Sequence, residues 1–352
     1  MPVETMTPRE RWLAVLERRK PDRVPMTYRA TREFTASLLR YTGHADVREM
    51  LTALHVDFLV SVEPGYVGPP LPPDTDLYGR RYAMMDYGTG AYEECIGHPL
   101  AGCRTVEEIE SSYTWPSPDW FDYTVVPDQV KGWETHPIHG AESEPFLIYK
   151  DLRGEEQAFT DLVLHPEIVH YCMDRLFGFD YANAERVFEQ LPGRITVTSV
   201  SEDMGSQQGL MFSAAHIREF LLPGMKRQIE LAHSAGIYVL HHNDGNCRPI
   251  LPDMVELGID ILDPVQWRAK DMDREGLKRD FGDRLVFHGG MDNQYTLPFG
   301  TIEEVRQEVL DNLRILGRGG GFILGPCHNI QPVSTPEKIV TMYETAYEYG
   351  WT

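Results

Sequence analysis

The chain has 352 residues, of which 42% are hydrophobic and 25% are charged. This is the composition of an ordinary globular protein, and it excludes a disordered, collagen-like or coiled-coil chain. With 33 Lys and Arg against 54 Asp and Glu, the formal net charge is -21. Because so acidic a surface repels phosphate backbones and anionic lipids, we expect neither nucleic acid nor a membrane as a primary partner.

The cysteine pattern and the amino-terminal segment indicate the cellular location. The five cysteines are odd in number and form no CxxC pair, so neither a disulfide framework nor a thiolate zinc knuckle is predicted. The first residues, MPVETMTPRERW, contain no apolar core of a signal peptide. No stretch approaches the roughly 18 apolar residues that a membrane-spanning helix needs. We therefore expect a soluble, cytoplasmic protein.

Eight short apolar runs recur along the chain, each followed by a helix-like stretch. They are Val24–Arg29, Asp57–Val62, Pro145–Tyr149, Ile195–Val200, Ile237–Leu240, Ile259–Leu262, Leu285–Phe287 and Phe322–Leu324. Continuous apolar runs are typical of parallel strands that helices cover on both faces, and eight βα units are the number that closes a TIM barrel. The sequence therefore predicts an α/β fold, a (β/α)8 barrel that spans residues 1–352 as a single domain.

Residues 64–145 interrupt this pattern between the second and third predicted strands. The segment holds 11 of the 25 prolines and three of the six tryptophans. Connections this long are usually functional lids or insertions. We expect an insertion that caps the barrel mouth and offers aromatic walls to a substrate; the residues in question are Tyr87, Tyr92, Trp115 and Trp120. A surface subdomain without a functional role is the plainer alternative.

Polar residues follow almost every predicted strand, where a barrel of this kind carries its chemistry. The sharpest pattern is VLHHNDGN after the fifth strand, in which His242 and Asp244 are two residues apart and so point to the same side. His328, with Cys327 beside it, can supply a third metal ligand, and Glu202 a fourth. Such a set suits Zn²⁺ best, with Fe²⁺ or Mn²⁺ as other candidates. The plainer interpretation is a polar strand end that hydrogen-bonds to neighbouring loops.

Two arginines follow the first predicted strand. Arg29 and Arg32 can grip a carboxylate if their loop faces the barrel mouth, or they are simply a solvated helix start. The motifs of serine hydrolases, of HExxH metalloproteases and of phosphate-binding loops are absent from the sequence.

Five segments of the chain resemble the uroporphyrinogen decarboxylase superfamily. They are PDRVPM, HHNDGN, GIDILDPVQ, GGMDNQYTLPFGTIEEV and GGGFILGPCHNIQPVSTPEKI. The resemblance is strongest over residues 193–350 and implies a (β/α)8 barrel with the active site in its mouth. The superfamily contains the haem-pathway decarboxylase and the zinc-dependent, corrinoid-linked methyltransferases.

The two branches of the superfamily differ in their site residues. The decarboxylase has an arginine pair in an RQAGR segment, where this chain has Arg29-Ala-Thr-Arg32. The methyltransferases take zinc ligands from an HxCGN segment and a later CGI segment, which correspond here to His242 and Asp244 in HNDGN and to His328 in HNI. A substrate with eight carboxylates calls for more cationic partners than this chain offers. The resemblance therefore implies the methyltransferase branch, without its thiolate ligands.

On this basis we expect a zinc-dependent methyltransferase that demethylates a small O- or N-methylated substrate and passes the methyl group to a separate corrinoid protein. Asp292 or Glu202 would handle a proton, and Asn246 and Gln266 would orient the substrate. One alternative is a metal-free carboxy-lyase of the uroporphyrinogen decarboxylase type, in which Arg29, Arg32 and His328 grip a carboxylated pyrrole. Others are a non-catalytic binder of a small molecule or corrinoid partner and a barrel with unrelated lyase chemistry. The sequence also permits a homodimer.

Overall fold

The computed structural model describes residues 3–86, 88 and 90–352 of the chain. Its strands are β1 (Val60–Val62), β2 (Gly65–Tyr66), β3 (Arg81–Asp86), β4 (Ala91–Gly97), β5 (Phe121–Asp122), β6 (Ile138–Ser143), β7 (Val197–Val200), β8 (Tyr238–His242), β9 (Ile261–Asp263), β10 (Val286–Met291) and β11 (Phe322–Pro326). Its helices up to β7 are α1 (Pro8–Leu16), α2 (Arg32–Thr42), α3 (Val47–Ala53), α4 (Val106–Ser112), α5 (Val126–Gln129), α6 (Pro145–Arg153), α7 (Glu155–Leu164) and α8 (Pro166–Gln190).

The helices after β7 are α9 (Ala214–His216), α10 (Leu222–Ser234), α11 (Leu251–Leu257), α12 (Arg274–Phe281), α13 (Thr296–Phe299), α14 (Ile302–Ile315) and α15 (Pro336–Tyr349). Short 3-10 turns lie at Pro118–Trp120 and Tyr123–Val125, and a π-helical turn, Ile217–Leu221, joins α9 to α10. None of the described helices is both long enough and apolar enough to cross a bilayer.

Among the described residues, seven strands form one parallel sheet in the order β1, β6, β7, β8, β9, β10, β11. The extended segment 24–30 connects its two edges. The N–H of Thr27 donates to the carbonyl of Leu324 in β11 at 2.9 Å, and the N–H of Asp57, just before β1, donates to the carbonyl of Met26 at 2.6 Å. The sheet therefore curls, with the carboxyl ends of its strands on one side. This confirms the predicted mixed α/β fold, with seven regular strands and a bridging segment in place of eight strands.

Two of the predicted strands differ from the structure. Residues 24–29 are held by isolated bridges such as that between Met26 and Leu324, so they form no regular strand. The predicted strand at Pro145–Tyr149 is wrong, because these residues begin α6, with Pro145 in the first turn. Proline suits this position, since the first N–H groups of a helix have no partner within it. The strand that pairs with β1 is instead β6, which lies within residues 64–145, the region predicted to be an insertion.

The segment between β1 and β6 contains two small antiparallel pairs, β2 with β5 and β3 with β4. Trp115 packs edge-on against Tyr113 and Tyr171, with ring centroids 5.0 and 6.2 Å apart. Tyr87 lies outside the described residues. None of the described residues 64–137 lines the two cavities at the strand ends. A capping role for this segment, and the single-domain organisation of the chain, stay predictions.

Helix α1 closes the amino-terminal side of the sheet. Trp12, Val15 and Leu16 are buried there and pack against the first residues of several strands; these include Val197, Ile261 and Val286. Burial of an apolar side chain of this size contributes about 1.5–3 kcal/mol. Apolar side chains therefore fill the amino-terminal end of the curled sheet beneath α1, and the strand ends at the carboxyl side are left for polar side chains.

A buried carboxylate ties α1 to the bridging segment. Asp57 is fully buried and accepts hydrogen bonds from Arg11, from Arg23 at 2.7 Å, and from the N–H of Met26 at 3.0 Å. Both arginines are also buried. Loss of the Asp57 charge would leave two guanidinium groups partly uncompensated in a site of low polarity.

We predict that Asp57→Asn lowers the free energy of unfolding by about 3–5 kcal/mol, the usual cost of removing one partner from a buried ion pair. Urea unfolding followed by circular dichroism measures this. The matched control is Asp128→Asn, which removes an exposed pair with Lys131 and should cost less than about 1 kcal/mol. Equal effects of the two substitutions would show that the buried network does not hold the segment in place.

Candidate metal centre

A cavity of about 500 Å³ lies at the carboxyl ends of the strands. A second cavity of about 280 Å³ adjoins it and shares Asp244 and His328 with it. The larger cavity is lined by five carboxylates and four imidazoles, with one guanidinium; these are Glu142, Glu144, Asp203, Asp244, Asp263, His139, His242, His288, His328 and Arg29. A lining so rich in carboxylates favours a cation over a polyanion.

Three side chains from two strand ends converge in this cavity. One ligand atom each of Asp203, His242 and Asp244 lies within 4.8 Å of the others. The Nε2 atom of His242 is 3.9 Å from Oδ1 of Asp203 and 3.9 Å from Oδ1 of Asp244. Asp203 follows β7, His242 ends β8, and Gly245 turns the chain directly after Asp244 with a φ of 73°. A conformation with positive φ favours glycine.

The imidazole of His242 is oriented by the buried carboxylate of Asp263 at the end of β9. Oδ2 of Asp263 lies 2.7 Å from Nδ1 of His242, and Oδ1 bonds to Nδ1 of His288. Thr27 holds the other nitrogen of His288 at 2.7 Å. A carboxylate on one imidazole nitrogen directs the other nitrogen to a metal, an arrangement common to histidine ligands. It leaves Nε2 of His242 facing the cavity.

The charges in the cavity shift the pKa values of its carboxyl groups. Burial works against the charged form of Asp263, but the charges and hydrogen bonds of His288 and His242 outweigh it and hold the pKa of Asp263 far below its usual range. Burial raises the pKa of Glu144 to about 7, and the negative charge of Asp203 adds to the effect. Burial likewise raises the pKa of Asp244 to about 6, although the charge of His242 opposes the shift.

The donor set fits a divalent transition metal. One imidazole nitrogen and two carboxylate oxygens are ligands that Zn²⁺ accepts, and Fe²⁺ or Mn²⁺ also bind such sets. Three protein ligands leave coordination positions open, as catalytic zinc sites do. Asp203, His242 and Asp244 are therefore the residues that would hold a metal in this cavity.

His328 lines both cavities but is not part of the three-residue cluster. The backbone N–H of His328 donates to Oδ1 of Asn293 at 3.3 Å. Burial lowers the pKa of His328, and the positive charges of Arg29 and His242 lower it further. A neutral imidazole at the cavity wall can accept a hydrogen bond from a substrate. Its role as a ligand or catalytic group stays a prediction.

Asp203, and not Glu202, belongs to the cluster of possible ligands. Glu202 is 1% exposed, and its Oε1 atom accepts the N–H of Phe146 at 2.6 Å. It therefore satisfies a free N–H group in the first turn of α6. Burial raises the pKa of Glu202 well above its usual value. Glu202 and Asp203 point in opposite directions, and Asp203 is the one that lines the cavity.

Cys327 and Asp292 are engaged elsewhere. Cys327 is buried, its thiol donates to the carbonyl of Val265 at 3.2 Å, and burial raises its pKa well above the usual value. Asp292 is 6% exposed and accepts from Nε of Arg268 at 2.6 Å and from the N–H of Thr296 at 3.1 Å. Both line the smaller cavity, but neither joins the metal cluster among the described residues.

Of the four predicted substrate-binding residues, Arg29 and Gln266 line the cavities and Arg32 and Asn246 do not. The guanidinium of Arg29 lines the larger cavity and has no hydrogen-bond or ion-pair partner within the described part of the chain, whereas Arg32 is exposed at the start of α2. Asn246 is buried and accepts the N–H of Arg248 at 3.0 Å.

Gln266 acts on the cluster itself. Its Nε2 donates to Oδ1 of Asp244 at 2.7 Å, and its Oε1 accepts the N–H of Gly245 at 2.8 Å. Gln266 therefore orients a candidate ligand, while its expected contact with substrate stays a prediction.

A curled parallel sheet with a candidate metal centre at its carboxyl edge defines an α/β protein of barrel-like architecture. A family model described as uroporphyrinogen decarboxylase (URO-D) matches residues 133–349. The match covers well over half of the chain, which therefore belongs to the uroporphyrinogen decarboxylase family.

Curated relatives of the chain carry the same name. It is 24% identical over 221 residues to a uroporphyrinogen decarboxylase of Nitrosococcus oceani, covering 60% of this chain and 54% of that protein. It is 25% identical over 224 residues to one of Pseudomonas putida, covering 61% and 55% of the two chains. The chain thus aligns with only about half the length of these relatives.

A solved structure resembles almost the whole chain. A methyltransferase from Methanosarcina mazei superposes with a TM-score of 0.66 at 18% sequence identity, over 98% of this chain and 99% of that one. At this level of identity the likeness establishes the shared fold.

We predict that Glu144→Gln flattens the pH dependence of stability in metal-free protein between pH values of about 4.5 and about 7. A carboxyl whose folded pKa is raised from 4.5 to about 7 binds more protons in the folded state, so the parent loses stability as pH rises through this range. The loss is about 3 kcal/mol at most. Urea unfolding at several pH values with a chelator present measures it.

The control is Glu230→Gln, which changes an exposed glutamate on α10 and should leave the slope of the parent unchanged. An unchanged slope in Glu144→Gln as well would contradict the protonated, buried state of Glu144.

Proposed function

We propose that the protein is a zinc-dependent methyltransferase that removes a methyl group from a small O- or N-methylated substrate and transfers it to a corrinoid protein. The observation that carries this proposal is the convergence of His242, Asp203 and Asp244 in the strand-end cavity. A zinc ion held there supplies Lewis-acid chemistry at the donor oxygen or nitrogen, and the partner's corrinoid supplies the methyl acceptor.

Hydrogen bonds within the protein orient the side chains of the three proposed metal ligands. Asp263 fixes the ring of His242 through Nδ1, so that Nε2 points into the cavity. Gln266 fixes Asp244, and the N–H of Asp244 in turn donates to Oδ1 of Asp203 at 2.7 Å. Because these outer hydrogen bonds are made before any ligand arrives, metal binding requires little reorganisation.

Proton transfer to the demethylated atom falls to Glu144. This carboxyl lines the same cavity, and burial raises its pKa to about 7 in the metal-free protein, which favours its protonated form near neutral pH. A protonated carboxyl donates to the oxygen or nitrogen that loses its methyl group, which prevents the charged leaving group from building up. Glu144 replaces Asp292 in this role, since the carboxylate of Asp292 is occupied by Arg268.

The charge of the cavity favours a small neutral or cationic substrate. Five carboxylates line it against the single guanidinium of Arg29, while Arg32 lies on the exposed side of α2. A porphyrinogen with several carboxylates would meet net repulsion here. Arg29 has no competing partner among the described residues, so one carboxylate on an otherwise small substrate can pair with it.

We predict that purified protein binds about one equivalent of zinc and that His242→Ala and Asp244→Ala bind at least about 100-fold more weakly. Asp263→Asn should weaken binding about 10–100-fold, because it removes only the outer partner of the histidine. Competition with a chromogenic chelator measures the affinities.

The control is His233→Ala, which removes an exposed histidine paired with Asp260 and should bind zinc as the parent does. If His242→Ala and Asp244→Ala bind zinc as tightly as the parent does, the proposed centre is wrong.

We further predict that zinc-loaded protein transfers methyl groups from O- or N-methylated donors to reduced cobalamin, a soluble stand-in for the corrinoid protein. Glu144→Gln should bind zinc normally and lower the rate about 100-fold, the usual contribution of a general acid. The absorbance change of the cobalamin reports methyl transfer. Release of CO₂ from uroporphyrinogen, without methyl transfer from any donor, would instead identify a carboxy-lyase.

A further inference from the structure

A cavity of about 370 Å³ lies on the side of the sheet opposite to the candidate metal centre. Its walls include Val15 of α1, Phe322 at the start of β11, Arg18, Lys20, Gly320 and Gly321, and we call it the basal pocket. Strand β11 has five residues and so separates the two sites by about 16 Å. In barrel enzymes catalytic groups occupy the carboxyl face, so this pocket plays no part in the reaction.

Arg18 and Lys20 in the wall of the basal pocket, and Lys278 beside it, form no ion pair among the described residues, although the chain as a whole carries a net charge of -21. Arg19, which also lines the pocket, pairs with Glu17. Among the described residues, no carboxylate lies within 4.0 Å of the charged nitrogens of Arg18, Lys20 or Lys278. Burial, together with the positive charges of Arg18 and Arg318, lowers the pKa of Lys278 to about 8. The cations are therefore close enough to repel one another, and a bound anion would relieve that repulsion.

The glycine-rich loop before β11 shapes the pocket wall. Gly319, Gly320 and Gly321 are three consecutive residues with φ between 70° and 86°. A Cβ atom on Gly321 would lie 2.5 Å from Nη1 of Arg18, so the guanidinium rests directly on this glycine. Lys278 reaches the same loop and donates to the carbonyl of Gly320 at 2.6 Å.

The backbone N–H groups of Gly319 and Gly321 donate to no acceptor in the described part of the chain. Arg18 itself adopts a φ of 57°, a conformation that non-glycine residues seldom take. Free N–H groups on a glycine loop beside unpaired arginine and lysine are the elements from which proteins build anion sites.

We propose that the basal pocket is a second binding site of the protein and takes a small anion that carries a phosphoryl group. Nη1 of Arg18 donates to the carbonyl of Gly282 at 3.2 Å, and the remaining donors of this guanidinium would bind phosphoryl oxygens. Lys20 would add a second positive charge, and the amides of the glycine loop would donate further hydrogen bonds. The pocket exceeds the size of phosphate alone, so an organic phosphate fits it, with Val15 and Phe322 against the apolar part.

The test uses isothermal titration calorimetry of the full-length protein with pyrophosphate and inorganic phosphate, at constant ionic strength. The parent should bind one anion per chain with a saturable heat. The double variant Arg18→Gln/Lys20→Gln should bind at least about tenfold more weakly, the effect of losing one or two charge-assisted hydrogen bonds. The charge-matched control Arg40→Gln/Lys226→Gln changes exposed residues of α2 and α10 and should bind as the parent does.

A second pair of variants tests the loop without touching the cations. A Cβ at Gly319 would meet no atom within 4 Å, and asparagine and aspartate tolerate positive φ. Gly319→Asp should therefore abolish binding by charge repulsion, whereas the isosteric Gly319→Asn retains it. Both are expected to unfold at the same urea concentration, which excludes a folding defect as the cause.

Three outcomes would overturn the proposal. One is the absence of saturable binding to the parent, and another is equal weakening in the basal and control double variants, which indicates general charge attraction. The third is loss of binding in His242→Ala, because that would assign the anion to a metal at the strand-end cavity. The first two results do not bear on whether zinc binds that cavity, and the third would itself indicate a metal there, so failure of this proposal leaves the proposed methyltransferase intact.

Discussion

The buried carboxylate of Asp263 is the interaction on which the candidate metal centre depends. It binds the Nδ1 atoms of His242 and His288, which belong to the strands on either side of its own. One carboxylate thereby links three consecutive strands and leaves a single direction for Nε2 of His242. That direction meets Asp203 and Asp244. Because the two imidazoles compensate its charge, Asp263 can remain ionised at 6% exposure.

Much of the candidate site could be predicted because strands alternate their side chains. The period of two predicts that His242 and Asp244 point to one side and that His241 and Asn243 point to the other. Both His242 and Asp244 belong to the cluster of possible ligands, and His241 is fully buried. The same rule could not choose between Glu202 and Asp203, since β7 ends at Val200 and the alternation ends with it. Glu202 is turned away from the cavity because its carboxylate accepts the N–H of Phe146 at the start of α6, a contact that the sequence does not reveal.

The fold could be predicted in class but not in every strand. Long-range hydrogen bonding decides whether a short apolar run becomes a strand or a buried helix, and periodicity over five residues does not distinguish them. Pro145–Tyr149 is such a run, and it forms a helix because α6 packs its apolar side chains against α8. The true strand, Ile138–Ser143, carries polar residues toward the cavity and so lacks a continuous apolar pattern.

The central claim is a metal centre that is built from one imidazole and two carboxylates, without a thiolate. X-ray absorption spectroscopy of the zinc-loaded protein at the zinc edge tests this claim most directly. The account predicts nitrogen and oxygen neighbours at about 2.0–2.2 Å and no sulfur. Cys327 is the nearest competing ligand by sequence, but its thiol donates to the carbonyl of Val265 instead. A sulfur neighbour at about 2.3 Å would contradict the account.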